Sequence, residues 1–132
     1  LGSGGGIPGL VIAHDRPDLH LVLVDRRTSR TDELARAVRR LGWTDRVEVV
    51  ASDVEEVVRR SSLRADAVVA RGFGPPTVTL DVAGRVVRPG GLIVISEPPH
   101  HDEDRWRDAL AAVPAVDRVP GPVGVACFER RP

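Results

Sequence analysis

The amino-acid sequence predicts an α/β fold with a mostly parallel, doubly wound sheet. Three observations carry that expectation. Short apolar runs recur along the chain, stretches with helical spacing fall between them, and a glycine-rich turn opens the sequence. Alternating strands and helices form a parallel sheet covered on both faces. Right-handed crossovers then bring the loops after each strand's carboxyl end to one edge, where ligands bind.

The run Leu19 to Val24 (LHLVLV), closing on Asp25, reads as a buried parallel strand. From Ser29 to Leu41 the apolar positions Leu34, Ala35, Ala37, Val38 and Leu41 have helical spacing, with Ser29 or Thr31 as cap and Gly42 as stop. Val47 to Ala51 is a further strand, and Asp53 caps a helix running to about Arg60. Ala65 to Ala70 is a strand, Thr77 to Val87 a helix ended by Pro89-Gly90-Gly91, and Leu92 to Ile95 a strand. Asp102 to Val113 reads as an amphipathic helix, and Val123 to Phe128 as the last strand.

The 132 residues fit one domain spanning 1–132, with 42% hydrophobic and 29% charged residues. The formal net charge is zero, so whole-chain charge does not by itself favour nucleic acid. All 19 basic side chains are Arg. A single cysteine, Cys127, excludes a disulfide framework, and with no apolar run near the ~20 residues that span a bilayer, the cytoplasm is the expected location, with no membrane partner. His100-His101-Asp102 reads as a solvated loop, and no metal site is expected.

The opening loop, Leu1-Gly2-Ser3-Gly4-Gly5-Gly6-Ile7-Pro8-Gly9, combines backbone freedom with a proline suited to the first turn of a helix. It reads as a strand-to-helix turn around a ligand, the alternative being a flexible linker. A dinucleotide fingerprint, G-x-G-x-x-G, would need a glycine where Ile7 stands. Gly2, Gly4 and Gly6 instead follow the G-x-G-x-G spacing of S-adenosylmethionine (SAM)-dependent methyltransferases. Asp25 is placed to accept hydrogen bonds from ribose hydroxyls or, alternatively, to cap the next turn. At Ser52-Asp53-Val54-Glu55 the backbone of Val54 and Glu55 is placed to read a base edge, while Asp53 caps the helix.

With these pieces in place the sequence resembles the RsmG family, also called glucose-inhibited division protein B. The matching segments are LGSGGGIPGLVIA, RPDLHLVLVD, VEVVASDVEEV, ADAVVARGFGPP and VVRPGGLIVI, running from Leu1 to about Glu97. The resemblance implies a Rossmann-like class I SAM-dependent methyltransferase fold, apparently truncated at the first strand. It implies SAM as cofactor, and transfer of a methyl group to N7 of a guanine in bacterial small-subunit ribosomal RNA as activity. It places cofactor-binding roles on Gly2, Ile7, Val54, Glu55 and Arg71, with Gly4 and Asp25 added from the general class I pattern. Arg71 is expected beside cofactor and target base as a positioning residue, or else as a surface cation paired with Asp53 or Glu55; no catalytic dyad is expected. The alternatives left open are a small-molecule or protein acceptor and a catalytically silent nucleotide-binding domain.

The chain departs from the family pattern in two places. It has Arg71-Gly72-Phe73-Gly74 where the family usually has Arg-Ala-Phe-Ala, and Ser96-Glu97-Pro98-Pro99 where a Lys-Gly is frequent. Glu97 is therefore expected to repel RNA phosphate locally. The strand expected before Leu1 would be central in the sheet, and without it two strands keep unpaired edges. The isolated 132-residue polypeptide is predicted to fold poorly without upstream residues; a cooperative thermal melt of that polypeptide contradicts this.

Overall fold

A computed structural model describes residues 1–60 and 62–132. The chain forms two compact units, Leu1–Val57 and Val58–Pro132, each with its own sheet.

In the first unit the glycine loop leads into α1 (Gly9–Asp15), followed by β1 (Leu21–Asp25), α2 (Thr28–Arg40) and β2 (Val47–Ala51). β1 and β2 pair in parallel, from Leu21 opposite Val47 to Asp25 opposite Ala51. The apolar side chains predicted for the helix and strands meet in one cluster of Ala13, Leu23, Leu34, Val38 and Val47, with Leu10, Leu21, Trp43 and Val49 packed against it. Pro8 sits at the amino-terminal cap of α1, just before the first turn rather than within it. α2 begins earlier than its sequence pattern implies. Arg27 occupies the cap position without a side-chain hydrogen bond, and Thr31 is a buried helical residue whose hydroxyl bonds to the Thr28 carbonyl at 3.0 Å. The helix stops as expected at Gly42, whose φ of 70° suits a residue without a β-carbon. Helix α3 (Val54–Arg60) follows β2.

The second unit contains β3 (Ala65–Ala70), α4 (Pro76–Val86), β4 (Val87–Ser96), a 3-10 helix (Glu103–Trp106), α5 (Arg107–Ala112), β5 (Val116–Val119) and β6 (Val125–Arg130). The strand order is β3-β4-β6-β5. β3 and β4 are parallel, whereas β6 runs antiparallel to both β4 and β5. Phe128, Leu80 and Ile93 are among the largest fully buried side chains. Complete burial of a side chain of that size contributes about 1.5–3 kcal/mol.

Three details of this unit differ from the sequence expectation. The predicted helix from Asp102 is split, with Trp106 ending the 3-10 segment. Strand β5 was not anticipated. β4 also starts at Val87, because Pro89-Gly90-Gly91 loops out within it: Ala65 aligns with Val87 but Ala67 with Leu92. Pro89 has no N–H to give to a ladder, so the register slips there.

Among the described residues β1 has β2 as its one strand neighbour, and β3 has β4.

Gly91 is a packing constraint of the second unit. A β-carbon there would lie 2.6 Å from Val87 Cγ2, 2.8 Å from the Asp66 carbonyl oxygen and 2.9 Å from the Arg88 carbonyl oxygen. Two of these neighbours are backbone and cannot rotate away. Gly91→Ala is predicted to destabilise the protein by about 2–3 kcal/mol in denaturant titration. Gly5→Ala, where nothing lies within 4 Å, should stay within about 0.5 kcal/mol.

Candidate functional site

The site in the first unit is built from the loops that follow β1 and β2 together with the glycine loop. Ser3 N–H donates to the Val24 carbonyl at 3.0 Å, so the glycine loop lies against the end of β1. Gly4 N–H donates to Asp25 Oδ2 at 2.7 Å. Ser52 N–H donates to the Asp25 carbonyl at 3.1 Å, which brings the segment after β2 to the same edge. The predicted residues Gly2, Gly4, Asp25, Val54 and Glu55 are thereby gathered in one unit.

Gly4 has a φ of 47°, a conformation that costs an L-residue with a β-carbon about 1–2 kcal/mol. A β-carbon there would stand 3.9 Å from Asp25 Oδ2 and 3.7 Å from the Gly2 carbonyl oxygen, so a larger side chain would crowd the carboxylate. Gly2 also has positive φ, at 60°. Ile7 directs an exposed side chain to solvent, 58% accessible.

Asp25 is 4% exposed yet ionised. Burial is the largest single influence on it and opposes its charge. The amide donors of Arg27 (2.9 Å to Oδ1) and Gly4, with the charges of Arg27 and Arg30, outweigh burial and hold the carboxyl below its ordinary range. Each carboxylate oxygen takes one amide donor and keeps lone-pair capacity for another. Asp25 therefore caps the turn after β1, and each of its oxygens keeps an acceptor site beyond its amide donor. Sequence reasoning missed Arg27 as its ion-pair partner, with Nε 3.7 Å from Oδ1. The only available signal was adjacency along the chain.

Asp53 caps α3 as expected, its Oδ1 accepting Glu55 N–H at 2.8 Å. That cap occupies the Glu55 amide and does not engage the Val54 amide. The Val54 side chain is buried, and Glu55 is half-buried.

Arg71 belongs to the second unit, immediately after β3. It is exposed and forms no ion pair among the described residues. Its loop is held by Thr79, a buried residue of α4 whose hydroxyl is shared between the carbonyls of Gly74 (3.1 Å) and Pro75 (3.0 Å). Gly72 has a φ of 56°, which explains why glycine stands where the family usually has alanine. Since Ala70 aligns with Ile95, Arg71 and Ser96 continue the same edge of the sheet.

Glu97, expected to face RNA as a free negative charge, does not. Its side chain is 5% exposed and accepts the indole N–H of Trp106 at 2.7 Å. His101 lies beside it, its Nε2 3.2 Å from Oε2. Sequence reading missed this cluster. The signal available was that a buried Trp N–H must find an acceptor.

Among the described residues no group of three or more His, Cys, Asp or Glu side chains could hold a metal ion. Nor is any helix there long and apolar enough to cross a membrane.

This edge geometry and the strand order define the class: a Rossmann-like fold of the class I SAM-dependent methyltransferase type. A family model for rRNA small subunit methyltransferase G (GidB) matches residues 1–114, and the chain belongs to that family. A Neisseria meningitidis serogroup C protein named ribosomal RNA small subunit methyltransferase G is 40% identical over 132 residues, covering 98% of this chain and 56% of that protein. A Sorangium cellulosum protein of the same name is 34% identical over 105 residues, covering 79% of this chain and 44% of that protein. The chain thus spans about half the length of these curated relatives. Solved structures share the fold. A putative rRNA-methylase from Clostridium thermocellum has a TM-score of 0.64 at 15% identity, covering 86% of this chain and 73% of its own. The O-methyltransferase TomG from Streptomyces achromogenes, in complex with SAM, has a TM-score of 0.68 at 19% identity, covering 99% and 71%.

The Asp25 environment makes a pH prediction. A carboxyl lowered by folding contributes stability in full above its unfolded value, near 3.8, and loses it as pH falls through the lower folded value. Denaturant titrations should show wild type losing stability more steeply than Asp25→Asn below about pH 4. Parallel acid limbs contradict an ionised, amide-bonded Asp25.

Proposed function

We propose that this chain is the cofactor-binding part of a SAM-dependent methyltransferase that methylates N7 of a guanine in bacterial small-subunit (16S) ribosomal RNA, in the cytoplasm. The observation that carries the reading is the Gly4 amide bonded to the buried, ionised Asp25 at a strand's carboxyl end, in a chain of this family. The proposed cofactor-binding residues are Gly2, Gly4, Ile7, Asp25, Val54, Glu55 and Arg71.

The fit of Asp25 to a ribose rests on its two oxygens, each with one acceptor site left over. Gly2 and Gly4 keep that approach free of side chains. The Val54 amide, which the Asp53 side chain does not engage, is proposed as a donor for a base edge. Bound there, SAM supplies an electrophilic methyl carried by a sulfonium. Guanine N7 is nucleophilic through its lone pair without losing a proton, so no general base is needed. The work left to the chain is closeness and alignment. Arg71, in no ion pair among the described residues, is proposed to position the acceptor, with Phe73 or Pro75 as apolar surface near the target.

Calorimetry on the whole protein tests the cofactor. S-adenosylhomocysteine should bind and NAD should not. Asp25→Ala should weaken binding about 10- to 100-fold, as expected for losing hydrogen bonds to a charged acceptor. Equal binding of NAD, or unchanged affinity in the variant, defeats the reading. For the acceptor, N7-methylguanosine should vanish from small-subunit RNA of a deletion strain. It should return with the wild-type gene and be reduced with Arg71→Ala. A mark that persists in the deletion strain assigns the activity elsewhere.

A further inference from the structure

Arg71 leaves the sheet at the carboxyl end of β3, and among the described residues its side chain makes no hydrogen bond or ion pair. Its place is therefore set by the backbone of its loop, residues 71–75. That backbone has little to stiffen it. Gly72 and Gly74 flank Phe73, and glycine loses more conformational freedom on ordering than any other residue. The loop's anchor comes from α4. Thr79 is 2% exposed, and its hydroxyl donates to the Gly74 carbonyl at 3.1 Å and to the Pro75 carbonyl at 3.0 Å. A hydroxyl has one proton, so the two carbonyls share it. The bond to Pro75, four residues back, is one that a helical threonine commonly makes within its own helix. The bond to Gly74, five residues back, reaches past the start of α4 into the loop. Among the described residues no other side chain bonds to residues 71–75.

We infer that Thr79 is a positioning residue for the methyl acceptor. Its buried hydroxyl fixes the loop that carries Arg71, and so fixes where the guanidinium is presented. The inference rests on the proposed role of Arg71 in placing the acceptor. Thr79 touches no substrate and acts through Arg71, by way of the Gly74 carbonyl and a short span of backbone. What matters is the proton that the hydroxyl gives rather than the volume it fills. Valine has nearly the same shape and no proton to give.

The test uses the whole protein, an RNA fragment bearing the acceptor guanine, and saturating SAM. Thr79→Val keeps the packing around α4 and is expected to fold. It should lower kcat/KM for RNA about tenfold, the loss that one hydrogen bond can carry. Thr79→Ser keeps a hydroxyl and should stay within about threefold of wild type. The double variant separates positioning from plain stabilisation. If Thr79 acts through Arg71, Thr79→Val should cost nothing further in an Arg71→Ala background. A hydroxyl that only stabilises α4 makes the two losses multiply, and multiplied losses overturn the inference. S-adenosylhomocysteine affinity should fall no further in Thr79→Val than in Arg71→Ala; a larger fall overturns it as well. A second measurement needs no RNA. The amide order parameters of Gly72, Phe73 and Gly74 should drop in Thr79→Val from roughly 0.85, the value of rigid backbone, to below about 0.6. In Thr79→Ser they should keep their wild-type values. Unchanged order parameters in Thr79→Val remove the anchor. If wild type methylates no guanine while Thr79→Val still loosens the loop, the substrate reading fails and takes the acceptor role with it, while the anchor stands.

Discussion

The hydrogen bond from Gly4 N–H to the carboxylate of Asp25 is the constraint on which the first unit's site depends. It joins the opening loop to the end of β1 across 21 residues of chain and fixes where the glycine backbone runs. It also keeps a buried carboxylate charged. An unpaired carboxyl at that depth would take up a proton. Two amide donors and the guanidinium charges nearby prevent that, and each oxygen keeps a further acceptor site. Under the proposed function, ligand geometry and protein architecture share one group. The backbone conformation held by that bond explains the glycine, since Gly4 has a φ of 47°.

Much of this was readable in the sequence because its causes are local. The run ending in Asp25 and the helical spacing of Leu34 and Val38 place themselves, and Asp53 marks the start of α3 by its own capping chemistry. The gathering of Gly4 and Asp25 follows from the glycine loop lying against the end of β1. The features that escaped notice depend on partners distant in sequence. Strand β5, Val-Asp-Arg-Val, is too short and too polar to announce itself, and it exists as a strand through its pairing with β6. Val87 was read as the end of a helix, and Pro89-Gly90-Gly91 as its stop, because Pro-Gly-Gly normally ends one. The structure instead loops those residues out of β4. The roles of Ile7 and Arg71 came from family resemblance rather than from residue chemistry. Both side chains are exposed, which suits a ligand-facing position but does not by itself demand one.

Charge is the instructive case. The sequence shows an even balance of acidic and basic groups and a glutamate just after the fourth strand, and neither supports an RNA partner. What a polyanion meets, however, is the charge that reaches the surface. Glu97 is turned inward against Trp106 and His101, while Arg71 on the same edge stays solvent-exposed. A count of charges by residue type cannot register that difference, because it depends on a contact between Glu97 and Trp106 made only in the folded chain.

The measurement that tests the account most directly is a structure of the whole protein with S-adenosylhomocysteine bound. The account predicts the ribose hydroxyls within about 3.2 Å of the Asp25 carboxylate, with the glycine backbone running beside the adenosyl group. An adenosyl group seated away from both Gly4 and Asp25 would contradict it.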